Sequence, residues 1–258
     1  MITLYNLIPN LLGFFLGLII GSFLNVCIHR IPKEESIISP GSHCPKCKNR
    51  IKWYDNIPIL SYILLGGKCR YCKEQISPIY PAIELLTGIL TALLFSQFGI
   101  SFDAIYFSIL TWFLIAISFI DIKELQVPVK PCYFTMVFGI IFSLFTKSNT
   151  FMDSILGASL GAGIILFIIE TYYIIKGKEG MGYGDANILA AIGAFLGWKK
   201  IFFVIMIASL TGAIIGIIIL IREKKHSETP LPFGPFLSIG GYLTIFVGNF
   251  LLKFYLGG

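Results

Sequence analysis

The chain has 258 residues, 56% of them hydrophobic and only 13% charged, with a mean hydropathy of +0.83. That composition excludes a soluble globular domain and a disordered chain. The formal charge of +6 does not call for nucleic acid as a partner, because the cations sit between apolar runs, where they orient a membrane protein.

Several of those runs approach or exceed the ~18 residues that cross a bilayer as a helix, and none shows the ten-residue alternation of a membrane β-barrel. The first covers residues 7–28. No Lys or Arg precedes it and no small-residue cleavage site follows, so it is expected to span rather than to be a cleaved signal. Further spans are predicted at 79–98, 102–119, 131–145, 154–175, 186–196, 201–221 and 231–255. The fold class is therefore an all-α polytopic membrane protein of about eight transmembrane helices. The span at 186–196 is short, and a re-entrant helix is its alternative.

The positive-inside rule tests that span. Eight crossings put sixteen Lys and Arg in loops 29–78, 122–130, 176–184 and 222–230 on the cytoplasmic side, leaving Lys147, Lys199, Lys200 and Lys253 outside. Without the short span, Arg222, Lys224 and Lys225 would fall outside. Eight crossings with both termini outside are expected.

Residues 29–78 hold nine Lys and Arg and four of the six cysteines, and read as a small cytoplasmic domain between a first helix (1–28) and a membrane region (79–258). Cys44 and Cys47 form one CxxC knuckle, Cys69 and Cys72 a second. Two such knuckles offer four thiolates to one tetrahedral zinc, a closed site that is structural rather than catalytic. Two disulfides are the alternative, disfavoured in a reducing cytoplasm. Flanking cations would lower the thiol pKa values. Cys27 and Cys132 lack CxxC partners and read as small apolar residues. His29, His43 and His226 lie in polar loops without a catalytic motif, although His43 adjoins Cys44.

Acids close to hydrocarbon are functional candidates because their burial is costly. Asp121 ends the third apolar run and Asp185 opens the sixth, both at the cytoplasmic face of the eight-helix topology. Two carboxylates brought together cannot both ionise cheaply. One then serves as base toward water and the other as acid toward a peptide carbonyl, which is aspartic protease chemistry. Gly180, Gly182 and Gly184 would let the backbone approach a substrate strand and adopt φ values closed to other residues. Asp185 as the N-cap of the sixth helix is the structural alternative. Glu84 and Glu170 are competing acids; Glu84 is placed to border the same site, with a helix-surface or packing role as the favoured alternative.

These residues carry a family resemblance. The chain resembles the type IV prepilin peptidases, bifunctional leader peptidases and N-methyltransferases. The match includes Gly21-Ser-Phe-Leu-Asn-Val-Cys-Ile-His-Arg30, both CxxC pairs, Asp55-Asn-Ile-Pro-Ile-Leu-Ser-Tyr62, Ile76-Ser-Pro-Ile-Tyr-Pro81 with Glu84, Glu179-Gly-Met-Gly-Tyr-Gly-Asp185 and Pro232-Phe-Gly-Pro-Phe236. The resemblance implies that Asp121 and Asp185 are the catalytic pair and that the four cysteines form the zinc-binding domain. It implies a multi-pass protein of the bacterial cytoplasmic membrane whose partners are the lipid bilayer and prepilin or pseudopilin substrates. The implied reaction removes a short basic leader, after which S-adenosylmethionine methylates the new amino terminus. The chain departs from the family at Val127-Pro128-Val129, where Leu-Pro-Asp is usual, and at Asn187, where Lys is usual. No glycine-rich loop for S-adenosylmethionine is visible. A proton- or ion-coupled transporter would use the same acids, but no internal repeat is evident and both aspartates lie near an interface; a membrane scaffold would explain the cysteines and leave the glycine-flanked Asp185 unexplained.

Overall fold

The computed structural model describes residues 2–178, 180–223 and 231–256; Glu179, Lys224, Lys225 and His226 of the motifs above lie outside them. Every regular element among the described residues is a helix. A helix forms at each of the eight predicted positions, as α1 (Ile2–Arg30), α3 (Ile79–Phe98), α4 (Phe102–Glu124), α5 (Val129–Phe142), α6 (Phe151–Lys176), α7 (Tyr183–Leu196), α8 (Ile201–Glu223) and α9 (Gly234–Leu256). One short helix, α2 (Leu60–Leu64), was not anticipated and interrupts the cysteine-bearing loop. Six of the helices are long and apolar enough to cross a membrane. Both α5 and α7 have 14 residues, about 21 Å at 1.5 Å per residue against a hydrocarbon core of ~30 Å. The shortness expected of one helix thus applies to two.

The chain divides into two compact units, 1–104 and 105–258. In the first, α1 packs along α3. Gly13, Gly17 and Gly21 recur every fourth residue on α1, and at Gly17 a Cβ would come within 2.8 Å of both Gly88 Cα and Thr91 Oγ1. Small residues at this spacing let two helix backbones approach where lipid supplies no hydrophobic drive. Asn25 Nδ2 adds a hydrogen bond of 3.1 Å to the Tyr80 carbonyl.

In the second unit α7 is the central element, contacted by α5, α6, α8 and α9. From Asp185 to Leu196 only Asn187 is not fully buried. A helix enclosed this way meets protein rather than lipid, which is why it need not match the hydrocarbon thickness. Glycines let α6 reach it. A Cβ on Gly157 or Gly193 would collide with the other's carbonyl, and one on Gly161 would lie 2.5 Å from the Leu189 carbonyl. The C-terminal end of α7 is closed by side chains. The Ala194 carbonyl accepts hydrogen bonds from Tyr106 Oη (3.3 Å), Asn149 Nδ2 (3.4 Å) and the Ser154 hydroxyl, satisfying a group that a helix end leaves open.

The α6–α7 contact predicts an asymmetry along α6. Gly157→Val would overpack a backbone that cannot yield, costing about 1–3 kcal/mol or more, whereas a Cβ at Gly163 meets nothing within 4 Å. Thermal unfolding in detergent should show a clear loss for Gly157→Val and little change for Gly163→Val.

Candidate active site and metal cluster

Asp121 opens the last turn of α4, which runs past the predicted end at 119 and stops where Leu125 takes a positive φ of 52°. Its carboxylate is buried, at 5% exposure. Oδ2 accepts the Gly234 N–H at 3.0 Å. Gly234 is the first residue of α9, where N–H groups have no intrahelical partner and the helix dipole favours negative charge. A Cβ at position 234 would fall 2.6 Å from Asp121 Oδ2 and 3.0 Å from Ile188 Cδ1. The start of α9, Asp121 and α7 one turn beyond Asp185 therefore meet at a point that admits only glycine.

Asp185 is 6% exposed and lies within electrostatic reach of Asp121. It is not the N-cap of α7. That position belongs to Gly182, and Asp185 is the third residue of the helix, its N–H bonded to the Gly182 carbonyl at 3.1 Å. Among the described residues its carboxylate takes no protein hydrogen bond, although buried polar groups are almost always paired. Two buried carboxylates, one held by a helix N-terminus and one left open, are equipped to bind a water and a carbonyl oxygen between them.

The glycines around Asp185 act differently from expectation. None of Gly180, Gly182 and Gly184 has a positive φ. A Cβ on Gly180 would strike the Tyr172 ring at 2.6 Å, and one on Gly184 would strike Val127 Cβ at 2.5 Å, so both are needed for packing. Gly182 borders open space, with Gly184 N at 3.9 Å the nearest atom to such a Cβ, and it alone leaves room for an approaching strand. Val127, one of the departures from the family pattern, therefore supports the glycine segment directly. Glu170 accepts a hydrogen bond from Tyr183 Oη at 3.1 Å and is spent on holding the start of α7.

In the first unit the four cysteines converge, their sulfurs all within 4.8 Å of one another. Cys44 and Cys72 Sγ are 3.8 Å apart and Cys47 and Cys69 Sγ 4.0 Å. Four thiolates at ~2.3 Å from a tetrahedral zinc stand roughly 3.8 Å apart, so the cluster fits a metal and is too open for disulfides. The two knuckles are built alike. Cys44 N–H bonds the Asn49 carbonyl (3.0 Å) and Cys69 N–H the Glu74 carbonyl (2.8 Å), while Lys48 and Lys73 turn the chain with φ of 59° and 61°. The Cys69 thiol is held down to about 7, chiefly by the Cys72 N–H and then by that of Tyr71, whereas the Cys72 thiol, despite the Glu74 N–H, is pushed up to about 11 by desolvation and the neighbouring sulfurs; the lowering expected of flanking cations is met at Cys69, and there it comes from backbone dipoles. Lys46 pairs with Glu74 across the knuckles, and Arg70 grips both Asp55 oxygens at 2.6–3.1 Å, keeping that carboxyl below its ordinary range. The His43 ring bonds the Gly41 carbonyl and is not part of the cluster.

Glu84 also belongs to the first unit, where Oε2 accepts the Ile59 N–H at 2.8 Å. Ile59 has φ 60° and ψ −50°, and the Leu60 N–H reaches back to the Pro58 carbonyl at 2.6 Å. This is a γ-turn of the strained kind, and the buried carboxylate pins it. Cys27 and Cys132 are buried, as expected of apolar packing residues.

Two family models match the chain, "Bacterial Peptidase A24 N-terminal domain" over residues 15–98 and "Type IV leader peptidase family" over residues 108–217. A prepilin leader peptidase/N-methyltransferase of Aeromonas salmonicida is 34% identical over 270 residues, covering 95% of this chain and 93% of its own. Its counterpart in Pseudomonas aeruginosa is 36% identical over 264 residues, with 93% and 91% covered. The chain belongs to the type IV leader peptidase family.

Both aspartates fall within the family's peptidase match and the four cysteines within its N-terminal match. No solved structure matches the chain. Gly234, which bonds Asp121, lies beyond both matches, and its motif, Pro232-Phe-Gly-Pro-Phe236, carries no role legible from the sequence. For the cluster, elemental analysis of purified protein should find about one metal ion per chain. Cys44→Ser should lower metal content and folded yield together, because a loop this short gains its fold from the ion; undiminished metal in that variant would contradict the assignment.

Proposed function

We propose that this chain is an aspartic endopeptidase that removes the leader peptide of prepilin-like proteins, with Asp121 and Asp185 as its catalytic pair, and that it then methylates the exposed amino terminus. It is a multi-pass protein of the bacterial inner membrane. The observation that carries the peptidase reading is the unpartnered, buried Asp185 within electrostatic reach of Asp121, in a chain of the leader peptidase family. The transporter alternative has no support.

In the reaction, one carboxylate removes a proton from water as its oxygen attacks the scissile carbonyl, and the other carboxyl donates a proton to the carbonyl oxygen. Collapse of the tetrahedral intermediate breaks the C–N bond, and the leaving amine takes a proton from the acid formed in the first step. The Gly234 N–H holds Asp121 in register throughout. Gly182 gives the substrate backbone its approach.

The four-cysteine cluster is proposed to hold structural zinc, which makes residues 29–78 a metal-held cytoplasmic domain and leaves the peptidase in the membrane region 79–258. Eight crossings with both termini outside remain the topology we favour. When bound, S-adenosylmethionine would be the methyl donor for the new amine, its sulfonium S–CH3 bond giving way to an N–CH3 bond as the ammonium loses a proton. A crevice of about 790 Å³ lined by Trp53, Tyr54, Tyr71, Asn49 and Asn56 offers the aromatic faces and amides that an adenosyl group takes.

Asp121→Asn and Asp185→Asn should each abolish leader cleavage of a prepilin-like peptide, since each general acid–base term is worth ~10² to 10⁴ in rate. Metal content and folding should survive both near-isosteric changes. Full cleavage by either purified variant would falsify the aspartic mechanism.

A further inference from the structure

Arg30 ends α1, and the mechanism above leaves it without a task. It is 7% exposed, and Nη1 donates to the Ser36 carbonyl at 2.8 Å. Among the described residues the guanidinium has no other hydrogen-bond acceptor and no carboxylate partner. A cation buried this deeply is costly unless an anion meets it. Arginine presents five donors in a planar fork that suits a phosphate or carboxylate.

The side chain opens into a cavity of about 510 Å³. Ile19, Phe23 and Val26 lie on the same wall, spaced so that they share one face of α1 with Arg30. Ile19 and Phe23 are 62% and 46% exposed. Ser22 and Asn56 add polar groups to the lining. The site thus has a single charged head at the end of an apolar stripe. A small soluble anion would use the head and leave the stripe idle. An acyl chain with an anionic headgroup fits both.

Its position agrees. The Leu7–Lys33 segment is apolar enough to span a membrane, so Arg30 stands in the last turns of a span, at the level where long basic side chains meet headgroups. The following loop carries eight further Lys and Arg, and such a cluster draws anionic lipid to the cytoplasmic leaflet.

We infer that Arg30 and the α1 face Ile19–Phe23–Val26 form a binding site for one anionic phospholipid, its phosphate on the guanidinium and an acyl chain along the helix. The site is separate from both aspartates and from the cysteine cluster in the residues it uses.

The test uses the full chain, delipidated in detergent and titrated with phosphatidylglycerol, phosphatidylcholine or glycerol 3-phosphate, with bound molecules counted by native mass spectrometry. Phosphatidylglycerol should be retained in preference to phosphatidylcholine. Arg30→Gln should weaken it about tenfold or more, as expected for loss of a charge-assisted pair. Glycerol 3-phosphate should compete poorly. Should Arg30→Gln not fold, Phe23→Trp keeps the question open to measurement with Arg30 intact: brominated phosphatidylglycerol should quench the new tryptophan more strongly than brominated phosphatidylcholine. Equal retention or quenching by the two lipids would overturn the inference, as would unchanged affinity in Arg30→Gln. Competition by glycerol 3-phosphate at lipid-like concentrations would assign the site to a free anion, and displacement of the lipid by S-adenosylmethionine would assign it to that molecule's carboxylate. Either would overturn it as well.

Discussion

The second unit depends on one close approach, the contact of α6 and α7 through Gly157 and Gly193, where neither residue has room for a Cβ. Only at this distance can α7 sit inside a ring of helices and bury nearly its whole length. Burial on that scale frees a 14-residue helix from the need to match the bilayer. It also obliges the surrounding protein to satisfy its end, which Tyr106, Asn149 and Ser154 do at the Ala194 carbonyl. The other end is used differently. There the helix presents Asp185, and no described side chain pairs with it.

The two aspartates show how a fold can hold charge-bearing groups away from bulk water without neutralising both by structure. Asp121 receives the first N–H of α9, a donor that the helix could not use itself. Asp185 is left with its hydrogen-bonding capacity intact. The asymmetry fits a pair in which one acid is fixed in place and the other is available to water or substrate. In the first unit a third buried acid, Glu84, has a structural task, since one of its oxygens accepts the N–H of the strained turn at Ile59, so burial alone does not mark an acid as catalytic.

Much of this was legible in the sequence. Apolar run length located all eight helices, because an uninterrupted hydrophobic segment has few other options in a membrane. Four cysteines in two CxxC pairs located the four-sulfur cluster, since the spacing itself closes the knuckle. Single residues at helix ends were harder to read. The sequence allows Asp185 as an N-cap, yet the helix begins two residues before it because Gly182 already adopts the capping conformation. The glycine spacing before it suggests unusual φ values, whereas Gly180 and Gly184 are required by Tyr172 and Val127 across space. Gly234 could not be assigned from the chain alone. Its role arises from Asp121, 113 residues away, and no local pattern reports a contact of that range. The Gly13, Gly17 and Gly21 series carried a visible spacing signal for helix packing, but only α3 shows what it packs against.

The central claim is that Asp121 and Asp185 act on one scissile bond as a unit, and non-additivity tests it most directly. Single-turnover cleavage of a prepilin-like peptide would be measured for Asp121→Asn, Asp185→Asn and the double variant, each confirmed folded by its thermal transition and metal content. Groups that serve one transition state lose their effect together. The double variant should therefore be no slower than the slower single variant. Multiplication of the two single losses in the double variant would mean that the acids act independently, and would contradict a shared catalytic site.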